Sequence, residues 1–410
     1  MKSKTIFRRL GAAFTAVILV AGVMTLGVSA EETVTAAQVR QTADAAAEYL
    51  TENFTSTGYS ASDLATVQLL YRSGLEQAGT VVENYLTQAA EELETYGAAV
   101  YQGYDNNYDP VASPSLVGTL GAAWLAQETG NKELSAQMEQ AAETLGTPQF
   151  IAADNPYNIA RALWCAQQLG SSQALQDALA KGLMSYYNQE EQAFDYWGCS
   201  VDNNAVMSRG AKLYSGQVAG VAQAAENAMT FVDSLRQADG SYYSDFQWST
   251  SSNADSTGLA LSAMADWADS GRYSGEELAQ TYQALLDRYY IQDTGAFGYL
   301  DNAAPNLMAT ADVLEGLLTY VDWLEQQEAD TPATPSQPEE TPSVPEEGTT
   351  STPAGETPSQ NGQSSEAENL PAGEASPATG DDALLWMGGA AAALLLAGVL
   401  GAVSVRKVGK

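Results

Sequence analysis

Histidine is absent from all 410 residues. That removes imidazole general bases, Ser-His-Asp and Cys-His pairs, and any zinc site that uses histidine. Carboxylates are left to carry acid–base chemistry. Asp195, Asp202, Asp255 and Asp312 are the candidates. A glycosidase would need two of them facing each other across a cleft, roughly 5–9 Å apart, and spacing along the chain does not place them so. Asp255, in Asn253-Ala254-Asp255-Ser256, is the one candidate proton donor, and it also reads as a helix N-cap or a structural loop contact. The pairs Glu91/Glu92, Glu190/Glu191 and Glu276/Glu277 lie on polar helix ends and read as solvated faces. Asp105-Asn106-Asn107-Tyr108-Asp109 has the alternating oxygens of a calcium loop. It lacks the following Gly, and Leu116 stands where the twelfth-position carboxylate belongs, so an Asx-rich turn is the reading. No metal and no cofactor are expected. Cys165 and Cys199 read equally as a disulfide or as two free thiols.

Aromatic side chains offer a second chemistry. Tyr196, Trp197, Tyr242, Tyr243, Trp248, Phe297 and Tyr299 fall in the connections between helices rather than in helical stripes. Gathered at the rim of a cavity they could stack on a sugar or a flat ligand, with polar tips to hydrogen-bond it. The alternative is that they fill gaps between helices. Trp124, Trp164 and Trp267 lie in helix interiors and read as core.

The elements that would position these residues are helical throughout 31–328. Apolar residues recur at helical spacing in about twelve segments, from 34–53 to 306–327. No stretch alternates long enough for a strand of a large sheet. Phe194, Tyr242 and Phe297 recur about every 50 residues in similar units, with a looser copy near Tyr101–Leu116. Each unit is a helix, a turn of Gly or Asp between aromatics, and a polar loop ending in an N-cap residue before a second helix. Twelve helices in six pairs predict an all-α fold, an α/α toroid of about six helical hairpins, with an open solenoid as the alternative.

The ends read differently. Residues 1–30 combine Lys2, Lys4, Arg8 and Arg9 with an apolar stretch and Val28-Ser29-Ala30, the pattern of a signal peptide. Residues 329–375 are rich in Pro, Ser, Thr and Glu and predict a disordered spacer. Ser376-Pro377-Ala378-Thr379-Gly380 precedes an apolar run over 383–405 and a basic tail. The run is long enough to cross a ~30 Å hydrocarbon core. This order resembles the sorting signal of Gram-positive cell-wall proteins, Leu-Pro-X-Thr-Gly, with Ser376 in the Leu position. The resemblance implies sortase and peptidoglycan as partners, a transient membrane span, and display at the cell surface. The net charge of −34 argues against nucleic acid.

Asp239-Gly240-Ser241 followed by Asp255–Leu261, and Gly295-Ala296-Phe297-Gly298-Tyr299 followed by Asn306–Thr310, resemble repeats of the terpenoid cyclase and protein prenyltransferase superfamily. The resemblance implies the toroid. Its catalytic groups are eroded. Only Asp255 stands where the cyclases carry Asp-X-Asp-Asp, and the prenyltransferase zinc site needs histidine. The resulting expectation is a non-catalytic binding or adhesion module, with a glycan or corrinoid-like ligand. A diverged cyclase-like or carbohydrate-active enzyme, and a spacer without a specific ligand, are the alternatives. For the sorting signal, deleting 376–380 is expected to move the protein from the wall fraction to the medium. Fractionation that finds it still wall-bound contradicts the assignment.

Overall fold

The structure is a computed structural model and describes residues 34–55, 61–104, 109–244 and 251–330. The expected signal peptide, most of the expected spacer, the expected sorting motif and the apolar run over 383–405 lie outside these residues, as does Trp248. Among the described residues no helix is long and apolar enough to cross a membrane.

Helices pair in chain order. α1 (Ala36–Asn53) leads to α2 (Ala61–Ser73). α3 (Gly79–Tyr96) leads through an antiparallel pair, β1 (Val100–Tyr104) and β2 (Pro110–Pro114), to α4 (Leu116–Glu128). α5 (Lys132–Leu145) and the short α6 (Pro148–Ile151) lead to α7 (Pro156–Leu169). α8 (Gln173–Met184) leads through β3 (Tyr187–Asn188) and β4 (Ala193–Phe194) to α9 (Val201–Lys212). α10 (Val221–Ser234) leads to α11 (Ala254–Ala268). α12 (Gly275–Arg288) leads through β5 (Tyr290–Ile291) and β6 (Ala296–Phe297) to α13 (Leu307–Asp330). The small β pairs are the departure from the expected all-α content, and each spans a turn between two helices.

Contacts between helices close into a ring. α2, α4, α7, α9, α11 and α13 each touch the next, and α13 returns to α2. α1 packs on α13, and α3, α5, α8, α10 and α12 lie outside the ring against their partners. The closure excludes the open solenoid. Sequence explains the two layers. In α4 every residue from Leu116 to Ala126 is buried, and α11 is buried almost all round, as expected for a helix enclosed by others. α5 and α12 bury one stripe only. α13 runs two residues beyond the expected boundary at 328.

Small residues set the closest approach in the inner ring. A Cβ on Gly258 would stand 2.6 Å from the Val313 Cα, and one on Gly316 would stand 2.5 Å from the Gly258 carbonyl oxygen. α11 and α13 therefore meet backbone to backbone. Gly258→Ala should lower stability by about 1–3 kcal/mol through overpacking. Gly79→Ala, with nothing within 4 Å of the new methyl, should stay within about 0.5 kcal/mol of the parent. Urea unfolding of the full chain measures both.

Candidate functional site

The inner helices begin on a shared design. The N-cap side chain accepts the N–H of the third helical residue: Ser115 from Gly118, Ser200 from Asn203, Asn253 from Ser256, and Asn306 from Ala309. The residue four beyond each cap accepts the backbone N–H of the buried residue that ends the preceding turn. Thr119 takes Ala99 at 3.2 Å, Asn204 takes Phe194 at 2.8 Å, Thr257 takes Tyr242 at 3.0 Å, and Thr310 takes Phe297 at 3.0 Å. Cap and cap+4 lie on one helix face, so four of the six inner helices, α4, α9, α11 and α13, are tied to their own turns at one end of the ring.

This tie explains the aromatic repeat. Phe194, Tyr242 and Phe297 are wholly buried, as are the backbone amides that the clamps satisfy. Tyr242 and Phe297 are thus core anchors rather than rim ligands, a correction to the expectation from their loop positions. The Tyr242 hydroxyl reaches the Met264 sulfur at 3.2 Å. Tyr196, Tyr243 and Tyr299 are half-buried, and Trp197 is 50% exposed.

Two residues beyond their caps, α9 and α11 each carry an aspartate. These equivalent positions are Asp202 and Asp255. Asp312 sits one turn deeper in α13. Asp202 accepts hydrogen bonds from the Ser256 hydroxyl at 2.6 Å and the Ser244 hydroxyl at 3.2 Å. Asp255 is 5% exposed, and its Oδ1 has no hydrogen-bond partner. Asp202 and Asp312 remain half-buried. The three carboxyls feel one another. Burial raises Asp202, while its two serine donors pull it back. Burial, then the Asp202 charge, pushes Asp255 well above the usual carboxylate range. Burial, then Asp255, Glu315 and Asp202, does the same to Asp312, against Arg161. The N-cap of α11 is Asn253, so the cap role expected for Asp255 is filled by its neighbour. Asp195 lies in the turn, accepting the Gly198 N–H at 3.0 Å, apart from the trio.

A packed aromatic cluster runs from exposed Trp197 to Tyr157, whose phenol feels the charges of Asp202 and Asp312. Trp197 has a left-handed backbone, φ 58°, unusual for a bulky residue. Its ring meets Tyr196 edge-on at 6.0 Å, and Tyr196 meets Tyr157 at 6.2 Å. Tyr157 donates to Asn203 Oδ1 at 2.6 Å, and the Asn203 amide donates to the carbonyls of Tyr196 and Gly198. Burial, then the charges of Asp202 and Asp312, keeps the Tyr157 phenol protonated.

Below the acids runs a buried charge network. Glu315, 1% exposed, accepts two hydrogen bonds from Arg161 and one from Arg209, and Arg209 also binds Asp266. Burial alone would raise Glu315, but Arg161 and Arg209 outweigh it and hold it at about 2. Gln68, Arg72, Arg161, Trp164, Arg209 and Glu315 line a cavity of about 30 Å³ here. Trp164 is half-buried at this cavity, while Trp124 and Trp267 are core as expected.

Cys165 and Cys199 are not bonded to each other. Cys165 is buried, burial pushes its thiol up to about 12, and Gln68 donates to its sulfur at 3.4 Å. Among the described residues no three His, Cys, Asp or Glu converge closely enough to hold a metal ion. The expected Asx-rich turn at 105–109 lies almost wholly outside them. Reading the sequence did not single out Tyr157, Arg161, Arg209 or Glu315. The equal cap+2 spacing of Asp202 and Asp255 was the available signal for pairing those two.

No family profile matches the sequence, and no curated protein matches it. Similar solved structures exist. A glycosyl hydrolase family 88 protein from Bacteroides vulgatus aligns with a TM-score of 0.52 at 9% identity, over 71% of this chain and 100% of that one. A possible member of the GH105 family from Salmonella enterica serovar Paratyphi A aligns at 0.53 and 9%, over 72% and 96%. A polysaccharide lyase aligns at 0.50 and 12%, over 71% and 98%. At this identity the likeness establishes the fold. The solved structures that share the fold are named as glycoside hydrolase or polysaccharide lyase proteins, which runs against the expected non-catalytic binding or adhesion module and favours the alternative taken up below.

Glu315 carries the pH dependence. Its folded value lies below the ordinary 4.5. Its contribution is therefore complete above the unfolded value and is lost as pH falls from 4.5 toward 2. Glu315→Gln leaves two buried guanidiniums short of a counter-charge and should cost about 3–5 kcal/mol at neutral pH. Chemical denaturation across this window should show a shallower acid limb for the variant than for the parent.

Proposed function

We propose that residues 35–330 form a glycoside hydrolase that works at the clamped end of the inner ring. The observation that carries this reading is the mutual interaction of Asp202, Asp255 and Asp312 beside the Trp197–Tyr196–Tyr157 aromatic cluster. Cleaving a glycosidic bond takes one carboxyl that keeps its proton and one that is ionised. Asp312 is the proton donor to the leaving oxygen, because burial and the neighbouring acids hold its proton. Asp202 is the ionised partner, because two serine hydroxyls stabilise its charge. Asp202 takes a proton from water as its hydroxyl bonds to the anomeric carbon, the bond from that carbon to the leaving oxygen breaks, and the Asp312 proton goes to that oxygen; loss of the Asp202 proton to solvent and uptake of one by Asp312 restore the pair. Trp197 and Tyr196 offer ring faces and edges for the flanking sugar.

The setting proposed for this enzyme is the cell surface. A disordered spacer would carry the domain away from the wall, and sortase would join Thr379 to peptidoglycan after a transient stay of 383–405 in the membrane. A domain facing outward on a tether suits a polymeric substrate too large to import.

Incubating the full chain with a panel of neutral, amino-sugar and uronate oligosaccharides should release new reducing ends from at least one class. Asp202→Asn and Asp312→Asn should each cut kcat by about 10²–10⁴. The rate should fall on the alkaline side as Asp312 gives up its proton. A panel with no turnover, or variants that match the parent, contradicts the reading.

A further inference from the structure

The hydrolase reading uses two carboxyls, and the site has three. Asp255 is the surplus. It is nine-tenths buried, and its Oδ1 has no hydrogen-bond donor among the described residues. A buried acceptor without a donor is rare in folded proteins and asks for a partner. The charged groups that act on it are Asp202 and Asp312, and Tyr157 and Arg161 act in turn on that pair. Arg161 is the cation of this set, and Glu315 holds it through two hydrogen bonds. The other inner-ring arginines are engaged as well: Arg209 with Glu315 and Asp266, and Arg72 with Asp322 at 2.8 Å. A uronate or sulfated sugar would bring a further anion to a cluster of acids with no spare cation to meet it. A cationic donor would answer both the unpartnered oxygen and the surplus of carboxyls.

We propose, on the basis of the hydrolase reading, that the sugar seated against Asp202, Asp255 and Asp312 bears a free amino group, so that the substrate class is a de-N-acetylated amino-sugar glycan. Its ammonium donates to Asp255 and displaces a proton from the carboxyl cluster to solvent, so charge is conserved: one ammonium enters and one proton leaves.

Isothermal titration of the full chain tests this with three probes: a β-1,4-glucosamine oligomer, its fully N-acetylated counterpart, and an oligouronate of the same length. Each is run at one pH in two buffers of different ionisation heat. The glucosamine oligomer should bind at least ~10-fold more tightly than the N-acetylated one, with net proton release, and the oligouronate should not bind. Equal or weaker binding of the glucosamine oligomer, or binding without proton release, overturns the proposal. Asp255→Asn should abolish the preference while melting no lower than the parent, since it removes a buried carboxyl and keeps the shape. A preference that survives in the variant also overturns it. The two readings separate cleanly: cleavage of neutral glycans that needs Asp202 and Asp312, without amine preference, sinks this inference alone. Amine binding with proton release but no cleavage of any glycan sinks the hydrolase reading alone.

Discussion

Everything at the working end of this domain depends on one repeated hydrogen-bond arrangement. A cap side chain closes the first turn of an inner helix, and the side chain four residues on takes the amide of the residue that ends the preceding turn. It satisfies backbone groups that would otherwise be buried without partners. It also fixes the rotation of each helix about its own axis. Once that rotation is fixed, the residue two beyond the cap has a fixed heading. In α9 and α11 that residue is aspartate, and so two carboxyls from neighbouring hairpins come near each other, with Ser244 and Ser256 of the second hairpin donating to Asp202 of the first.

Holding acids together in a protein interior is costly, since each carboxylate loses hydration. The domain meets this cost differently at two depths. Glu315 is ionised because two guanidiniums surround it. Burial and the neighbouring acids raise Asp255 and Asp312 well above the usual carboxylate range, with only Arg161 opposing them at Asp312. Asp202 lies between these extremes, supported by neutral hydroxyls. Groups of the same chemical kind thus differ in acidity because their immediate partners differ. That separation of roles is what acid–base catalysis needs.

Much of the fold was legible in the sequence. The helical spacing, the Phe194–Tyr242–Phe297 repeat and the N-cap residues led to six hairpins in a ring, because these signals are local. The side-chain trio was less legible. Asp202, Asp255 and Asp312 stood among the candidate acids, but their meeting depends on ring closure between hairpins up to about a hundred residues apart, which no local pattern encodes. The aromatics misled for a related reason. Tyr242 and Phe297 sit in loops by sequence yet are core, because the clamps draw those turns down between the helices. Trp197 could be placed on the rim from its loop, but its left-handed backbone could not. Arg161, Arg209 and Glu315 carried no local signal in the sequence. They face inward because the inner helices present every side to the protein, so even a charged position ends up enclosed and must find its opposite.

The central claim is that the carboxyls at the clamped end share an environment that keeps protons on Asp255 and Asp312. A titration of the full chain labelled with ¹³C at its aspartate carboxyls, followed by NMR with Asp255→Asn and Asp312→Asn for assignment, measures this directly. The account predicts that both resonances stay in the protonated position well above the ordinary carboxylate range, and that removing Asp255 lowers the midpoint of Asp312. Two carboxyls that titrate independently near 3.8, the ordinary aspartate value, would contradict it.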